Sequence, residues 1–471
     1  MAVAQIHNTA ELVAKDRAHL LHPVSNLKQV REFGPLILHR GEGIYLWDTD
    51  GKQYIDGFSG LWNVNVGHGR HELAVAAAEQ IDEAAFIPTF FGLASPPAIE
   101  LAAKLAEMFP GPLNHINFTS GGAESNETAL KISRYYWYLK GKPEKIKVIS
   151  RKQGYHGIAM GALAATGIPT YHQGFGPGVP GFVHVSAPFD YRVNDQNLDE
   201  AGFVAQLVRE LEEMIEREGA ETIAAMIGEP VQGAGGVVVP PASYWTAITD
   251  VLKKHDILLI SDEVICGFGR TGKRFGHQHY GVKPDVVTMA KGITSAYFPL
   301  SVTAVRREIY ESFAGDSEYE RLRHVNTFGG HPAACAVAIK NLEIMEEEDL
   351  PGRSARMGEE LRQKLSGLEG HPNVGEIRHK GLLLGIEMVR DKQSKQPASS
   401  EEVNAIVAAC KARGLIVGKN ADTVSGFDNS ITLAPPLSLT DEDLEFAAGA
   451  LSESITDPQV GQQKENRGQA S

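Results

Sequence analysis

Short apolar runs rich in β-branched residues alternate with amphipathic runs of helical length from about Gly67 onward, and this alternation limits the folds open to the chain. Strands separated by such helices are joined by right-handed crossovers into a largely parallel sheet that helices cover on both faces. Apolar residues at helical spacing between Phe203 and Glu216 predict one covering helix. The predicted strands are His115–Phe118, Lys147–Ile149, Ala224–Ile227, Ile257–Ile260, Val286–Met289 and Ser301–Ala304.

The chain has 471 residues, which is more than a single core usually serves, so two unequal domains are expected. After about Pro332 the pattern changes to a long helix followed by mixed segments typical of a smaller α+β domain. We predict an N-terminal segment that packs with the small domain (1–66), a large domain (67–325), a small C-terminal domain (326–456) and a polar tail (457–471).

Composition excludes several classes of protein. The 59 acidic against 45 basic residues give a net charge of -14, which disfavours nucleic acid and favours small metabolites as partners. The three cysteines have no paired spacing, so neither a disulfide framework nor a metal site is expected. There is no secretory leader pattern and no run of ~18 apolar residues, so we expect a cytoplasmic protein without membrane contact.

Open α/β sheets bind ligands beyond the carboxyl ends of their strands. In this sequence two charged residues, Asp262 and Lys291, stand at such strand ends. Asp262 ends a wholly apolar strand, and a buried acid there implies a cationic partner, unless it only caps a neighbouring helix. Lys291 also follows an apolar strand. Desolvation of a half-buried lysine would lower its pKa and favour imine chemistry, although most lysines simply face solvent.

Two further strand ends carry groups that could hold a flat anionic ligand. The segment Thr119-Ser-Gly-Gly-Ala-Glu opens into a helix whose first amide N–H groups could bind a phosphate, or the glycines could only make a tight turn. Tyr155 could stack on a planar ring or merely pack. Together with an acid and an amine, these groups match the needs of pyridoxal 5'-phosphate (PLP): its phosphate, its ring faces, its pyridine nitrogen and its aldehyde.

Seven motifs make the chain resemble a class III aminotransferase of the ω-amine:pyruvate type from about Gly41 to Pro436. They are Gly60-Leu-Trp-Asn-Val-Asn-Val-Gly-His-Gly69, Ser120-Gly-Gly-Ala-Glu-Ser, Gly154-Tyr-His-Gly, Glu229-Pro-Val-Gln-Gly-Ala-Gly-Gly236, Asp262-Glu-Val-Ile-Cys-Gly-Phe-Gly-Arg-Thr-Gly272, Ala290-Lys-Gly and Asn326-Thr-Phe-Gly-Gly-His-Pro332. The resemblance implies PLP fold type I, like aspartate aminotransferase, with a mixed, mostly parallel seven-stranded sheet in the large domain.

The resemblance also implies a role for each matching residue. Lys291 would hold the cofactor covalently, and Asp262 would pair with its pyridine nitrogen. Because the family builds each active site from two subunits, a homodimer is expected, and a tetramer is possible. The other implied cofactor contacts are Gly122 and Ala123 on the phosphate, Tyr155 and Val264 on the ring faces, Glu229 and Gln232 near the phenolic side, and Thr327 on the partner's phosphate.

At the substrate end the sequence departs from parts of the family. Ala123 stands where many relatives have a hydroxyl on the phosphate. Ala234 replaces the glutamate of ornithine-type and 4-aminobutyrate-type relatives, and Lys419 lies where many amine transaminases have a carboxylate-binding arginine. A hydrophobic amine is expected to bind beside Leu61, Trp62, Phe90, Phe91 and Ala234, with Lys419 meeting a keto acid, although the aromatic residues could instead pack a subunit interface.

The resulting hypothesis is transfer of an amino group from a primary amine to a keto acid, pyruvate giving alanine. Other chemistry of the same fold, aminomutase or decarboxylase, stays open. So does a transaminase specific for taurine, β-alanine or 4-aminobutyrate, because an apolar pocket discriminates by only ~1–3 kcal/mol per methylene. A catalytically silent binding protein is a further alternative, which Lys291 and Asp262 disfavour.

Overall fold

The computed structural model describes residues 8–109, 111, 113–420 and 423–457. Its strands are β1 (Leu38–Glu42), β2 (Tyr45–Asp48), β3 (Gln53–Asp56), β4 (Leu113–Thr119), β5 (Lys147–Arg151), β6 (Phe182–Val185), β7 (Ile223–Gly228), β8 (Leu258–Asp262), β9 (Val286–Met289), β10 (Ser301–Arg306), β11 (Val374–His379), β12 (Leu384–Asp391), β13 (Gln396–Pro397), β14 (Leu415–Ile416), β15 (Gly418–Asn420) and β16 (Ser430–Leu433).

The helices are α1 (Thr9–His19), α2 (Leu27–Phe33), α3 (Ser59–Trp62), α4 (His71–Glu83), α5 (Pro96–Met108), α6 (Gly122–Leu139), α7 (Met160–Ala165), α8 (Asp190–Val193), α9 (Glu200–Glu218), α10 (Tyr244–Lys254), α11 (Arg307–Glu311), α12 (Pro332–Glu347), α13 (Leu350–Lys364), α14 (Ser400–Ala412) and α15 (Asp441–Thr456). Within the described ranges, none of them has the length and apolar content needed to cross a bilayer. The three cysteines are buried and unpaired with one another.

A seven-stranded sheet forms the centre of the molecule, in the order β4-β10-β9-β8-β7-β5-β6. Strands β5 to β9 run parallel to one another, while β10 is antiparallel to both β4 and β9. The mixed, mostly parallel sheet of the sequence analysis is therefore confirmed. Each of the six predicted runs coincides with one of its strands, with Ile257 lying one residue before β8, and β6 was missed because it is a four-residue edge strand that contains His184.

Helices cover both faces of this sheet because its strands alternate their side chains between two apolar layers. On one face Ile149, Met226 and Leu259 pack under α9 and α10. On the other face Val148 and Ile260, with their strand neighbours, pack under α6. Helix α9 begins where the Asp199 side chain accepts from Gly202 N, and it buries the apolar residues that predicted it. The carboxyl ends of the parallel strands are left uncovered by these helices.

Two smaller sheets complete the fold. One has the order β1-β2-β3-β14, in which β14 pairs in parallel with β3, so a C-terminal strand joins three N-terminal ones. The other has the order β11-β12-β16-β15, with β13 paired to β12. The predicted helix after Pro332 is α12. The predicted tail lies outside the described residues except for Asp457, and the division into domains stays a prediction.

A buried ion cluster ties the second small sheet to the loop that follows β7. Glu387 on β12 is fully buried and lies 3.0 Å from Arg378 Nη2 and 2.7 Å from Arg192 Nη2. Arg378 also donates to the carbonyl of Gly236 at 2.6 Å. Burial alone would raise the pKa of Glu387, but the two guanidinium groups outweigh it and lower the pKa. The charge of Glu387 therefore compensates Arg192 and, together with Glu376, Arg378.

Replacement of this acid should destabilise the protein strongly. We expect Glu387→Leu to lower the free energy of unfolding by about 3–5 kcal/mol, because it leaves the half-buried Arg192 without its ion-pair partner and the buried Arg378 paired only with the partly exposed Glu376. Glu376→Leu is the matched control, since Glu376 pairs with the same Arg378 but is 35% exposed, and it should cost less than about 1 kcal/mol. Chemical denaturation measures both. Equal losses in the two variants would contradict the role given to burial.

Candidate active site

A cavity of about 410 Å³ opens at the carboxyl ends of the parallel strands. Its walls come from the residues that follow β5, β7, β8 and β9 and from the first turn of α6, which is where a doubly covered sheet places its ligands. The cavity brings together seven of the residues singled out from the sequence, namely Gly122, Ala123, Tyr155, Glu229, Asp262, Val264 and Lys291.

The start of α6 presents unused hydrogen-bond donors to this cavity. No side chain caps the helix at Gly121. Among the described residues, no acceptor meets the N–H groups of Gly122 and Ala123. Position 122 must be glycine, because a Cβ there would come within 2.8 Å of Val264 Cγ1. Free amides at the positive end of an 18-residue helix make an anion site.

Asp262 ends β8 and is 2% exposed. One of its oxygens accepts from Asn126 Nδ2 at 2.8 Å and lies 2.7 Å from His156 Nδ1. The other oxygen accepts from Val264 N at 3.1 Å. An ionised carboxylate only accepts hydrogen bonds, so the hydrogen between it and His156 must lie on Nδ1. Three N–H donors thus fix the orientation of the acid at the edge of the cavity.

Asn126 and His156 were not identified as site residues from the sequence. The signal for Asn126 was its spacing, four residues after Gly122 on the same helix, which places both on one face. His156 lies inside the Gly154-Tyr-His-Gly motif, but only its neighbour Tyr155 was given a role. Both are fully buried, at 1% and 2% exposure.

Lys291 follows β9 in the left-handed region, with φ of 47°. The turn after it is fixed by Asn341, whose Nδ2 donates to the carbonyls of Gly292 and Ile293, both at 2.9 Å. The ammonium of Lys291 lies 5.8 Å from the centre of the Trp62 ring. Burial lowers the pKa of Lys291, although the charges of Asp262 and Glu229 oppose the shift. The amine is therefore unprotonated at lower pH than an ordinary lysine, which suits a nucleophile or base.

Glu229 and Tyr155 form another part of the cavity wall. The Glu229 carboxylate accepts from Tyr155 N at 3.0 Å and from Gly233 N at 2.9 Å. Burial raises the pKa of Glu229, with His156 opposing the shift and Asp262 adding to it. Burial also raises the pKa of Tyr155 to about 12, so its hydroxyl stays protonated. Gln232 is buried behind this wall rather than lining it. Its Nε2 donates to Lys152 O, and within the described part of the chain its Oε1 has no partner.

The predicted substrate residues fall into two groups. Trp62 is buried against Phe58, with the ring centres 4.6 Å apart, and half-buried Ala234 packs in the same apolar cluster. By contrast Leu61 and Phe91 are exposed, as is Thr327, the predicted phosphate contact. Neither group lines the cavity of its own chain. Phe91 is 87% exposed and packs edge-on against Phe90.

The structure does not bring Lys419 to the cavity. Its Nζ is 2.7 Å from Asp428 Oδ2, and the same oxygen accepts from Ser400 Oγ at the start of α14. On β15, Lys419 pairs in register with Ile431, whose side chain belongs to the main apolar core. To meet a substrate carboxylate, the lysine would have to leave Asp428.

Comparisons with known proteins agree with this geometry. The family model described as "Aminotransferase class-III" matches residues 28–455. An uncharacterized aminotransferase of Bacillus subtilis is 48% identical over 97% of this chain and 99% of its own length. A putrescine–pyruvate aminotransferase of Pseudomonas aeruginosa is 41% identical over 92% and 94%. A thermostable (S)-enantioselective ω-transaminase from Thermomicrobium roseum superposes with a TM-score of 0.92 at 57% identity, covering 96% of this chain and 99% of that one.

The lowered pKa of Lys291 predicts how its removal changes stability. An unfolded lysine titrates at about 10.4, above the folded value, so folding is penalised at neutral pH and the penalty fades as pH rises towards about 10. In the cofactor-free protein, Lys291→Met should therefore raise the thermal midpoint at pH 7, by less as pH rises. Lys28→Met, at an exposed helical position, should leave it unchanged. A Lys291→Met variant that is less stable than the parent at pH 7 would contradict the assignment.

Proposed function

Because the chain belongs to the class III aminotransferase family, we propose that it transfers the amino group of a hydrophobic or ω-amine to pyruvate, giving alanine, with PLP as cofactor. The observation that carries the proposal is the shared cavity of Lys291, Asp262 and the uncapped start of α6. A reactive amine, a fixed acid and an anion site at one strand edge are the groups that this cofactor requires.

The residues present fit PLP. The two free amides of Gly122 and Ala123 would take its phosphate, and a Cβ at Gly121 would point into open space, so nothing fills this cradle. Val264 and Tyr155 line the same cavity and would contact the two ring faces. The raised pKa of Glu229 suits the phenolic side of the ring, while Gln232, whose Oε1 has no partner among the described residues, would have to turn into the cavity to reach it.

When bound, PLP supplies an aldehyde that takes up the amino group and a ring that accepts electron density. Lys291 would hold the aldehyde end covalently and, once released by the amine, move a proton at the amine-bearing carbon through its Nζ. Its lowered pKa supports this role, because a base must be unprotonated to act. Asp262 would keep a proton on the pyridine nitrogen through its negative charge, with Asn126 and His156 holding the acid in place.

The substrate end requires a second copy of the chain. Leu61, Phe91 and Thr327 expose apolar or hydroxyl groups at the surface of a single chain, and Phe90 lies beside Phe91. In a two-fold dimer, Thr327 would reach the phosphate bound by the other copy, and the aromatic residues would close its amine pocket. Trp62 would complete the apolar wall, since its ring lies beside Lys291.

Lys419 would recognise the carboxylate of the keto acid differently from the arginine that many amine transaminases use. Among the described residues that line the cavity, Lys291 is the one Lys or Arg side chain. Lys419 is the proposed partner of the substrate carboxylate and must exchange Asp428 for it. As a point charge it would select less sharply than a bidentate guanidinium. A small acceptor such as pyruvate suits such a site.

An acceptor-dependence assay tests the function. Purified protein with PLP is incubated with putrescine, an aryl-alkyl amine of either hand, taurine, β-alanine or 4-aminobutyrate, with and without pyruvate. We expect alanine to form in proportion to amine consumed, and only with pyruvate. Asp262→Asn should retain the cofactor but lose roughly 10²-fold in rate, the scale of losing one electrostatic stabiliser of developing charge.

Three outcomes would refute parts of the proposal. Product formed from the amine without pyruvate would indicate an aminomutase or decarboxylase. A protein that binds no PLP and consumes none of the donors would not be a transaminase of this class. Full activity in the Asp262→Asn variant would remove the acid from its role.

A further inference from the structure

Hydroxyl groups from two sheet strands hold the first turns of α6. Thr288 on β9 and Thr303 on β10 are register partners, and both are fully buried. Thr303 Oγ1 donates to the carbonyl of Ser125 at 2.9 Å. Thr288 Oγ1 instead donates to a side chain, Asn126 Oδ1, at 2.7 Å. Of this pair, Thr288 alone is linked to a residue that contacts Asp262.

The amide of Asn126 is used at both ends. Its Oδ1 accepts from Thr288, while its Nδ2 donates to Asp262 at 2.8 Å and to the carbonyl of His156 at 2.7 Å. All of its hydrogen-bonding groups are buried, at 1% exposure for the residue. An amide has distinct acceptor and donor ends, so rotating it by 180° would turn an oxygen towards an acid that can only accept.

We infer that Thr288 is a positioning residue for Asp262, because its hydroxyl satisfies the acceptor end of the Asn126 amide and so holds that side chain in the place from which it donates to the carboxylate. This inference rests on the proposed function, in which Asp262 faces the cofactor ring nitrogen. Without the hydroxyl, Asn126 Oδ1 would be buried with no donor among the described residues, and the amide would be held at its donor end alone. The carboxylate would then keep His156 and Val264 N as fixed donors, while its third donor, Asn126 Nδ2, would be held less firmly.

In the alternative interpretation, the Thr288 hydroxyl only satisfies a buried hydrogen-bond acceptor and has no effect on Asp262. That interpretation predicts lower stability and nothing else. The two interpretations differ in the cofactor affinity and the rate that they predict. An acid whose third donor is held less firmly would be less well fixed in front of the pyridine nitrogen.

Substitutions at position 288 separate the effect of the side chain's shape from the effect of its hydroxyl group. Thr288→Val keeps the shape and loses the hydroxyl, while Thr288→Ser keeps the hydroxyl and loses a methyl group. Thr288→Ala differs from Thr288→Ser by one oxygen atom. If the Val variant does not fold, comparing the Ser and Ala variants measures the effect of the hydroxyl instead. Thr249→Val is the control for loss of a remote buried hydroxyl, because Thr249 Oγ1 donates only to Trp245 O within α10.

The measurements are the Kd of pyridoxal phosphate for cofactor-free protein, the pH dependence of the bound cofactor's absorption, and kcat and KM for the amine. We expect Thr288→Val to weaken cofactor binding and lower kcat by about tenfold each, with little change in KM. A tenfold change corresponds to about 1.4 kcal/mol. The Ser variant should stay within about threefold of the parent, and Thr249→Val should change neither Kd nor kcat.

Equal behaviour of the Val and Ser variants, or of the Ala and Ser variants, would overturn the inference. So would a Thr288→Val protein that is less stable but binds the cofactor and turns over like the parent. Failure of the parent protein itself to bind pyridoxal phosphate or to form alanine would instead refute the proposed function, so the two failures are distinguishable.

Discussion

The charge of Asp262 is the constraint on which the rest of the site depends. It ends a strand that is buried at every residue, and an unpaired ion in such a place would cost several kcal/mol. The structure compensates it with three N–H donors drawn from three elements: α6, the loop after β5 and its own strand end. These donors also fix where those elements lie. The anion site at the start of α6 and the wall around Tyr155 therefore take their positions from the same carboxylate.

The parallel sheet brings the two reactive residues together without an extra loop. Adjacent strands β8 and β9 run in the same direction, so Asp262 and Lys291 emerge at one edge without a long loop. Apolar packing on both faces holds the strands, and Asn341 holds the turn after Lys291. The lysine is left in an environment that disfavours its charge, while the acid is held in one that supports it. A lysine whose charge is disfavoured and an acid whose charge is stabilised thus face a single cavity.

The sequence alone predicted the sheet, its covering helices and the strand ends at which Asp262 and Lys291 stand, because periodicity and apolar runs report local structure and burial directly. It did not predict β6, whose four residues give too short a signal. It also missed Asn126, His156 and Thr288, since a polar side chain inside a helix or strand shows its partner only when the chain is folded. Roles for Leu61, Phe90, Phe91 and Thr327 depend on a second chain and stay predictions, as does the role of Lys419.

The most direct test of the account is to find where the cofactor is attached. Protein loaded with pyridoxal phosphate is treated with borohydride, which fixes the cofactor on the lysine that carries it, and is then digested for peptide mass spectrometry. The account predicts one modified peptide, containing Lys291. Modification of another lysine, or none at all in protein that has bound the cofactor, would contradict it.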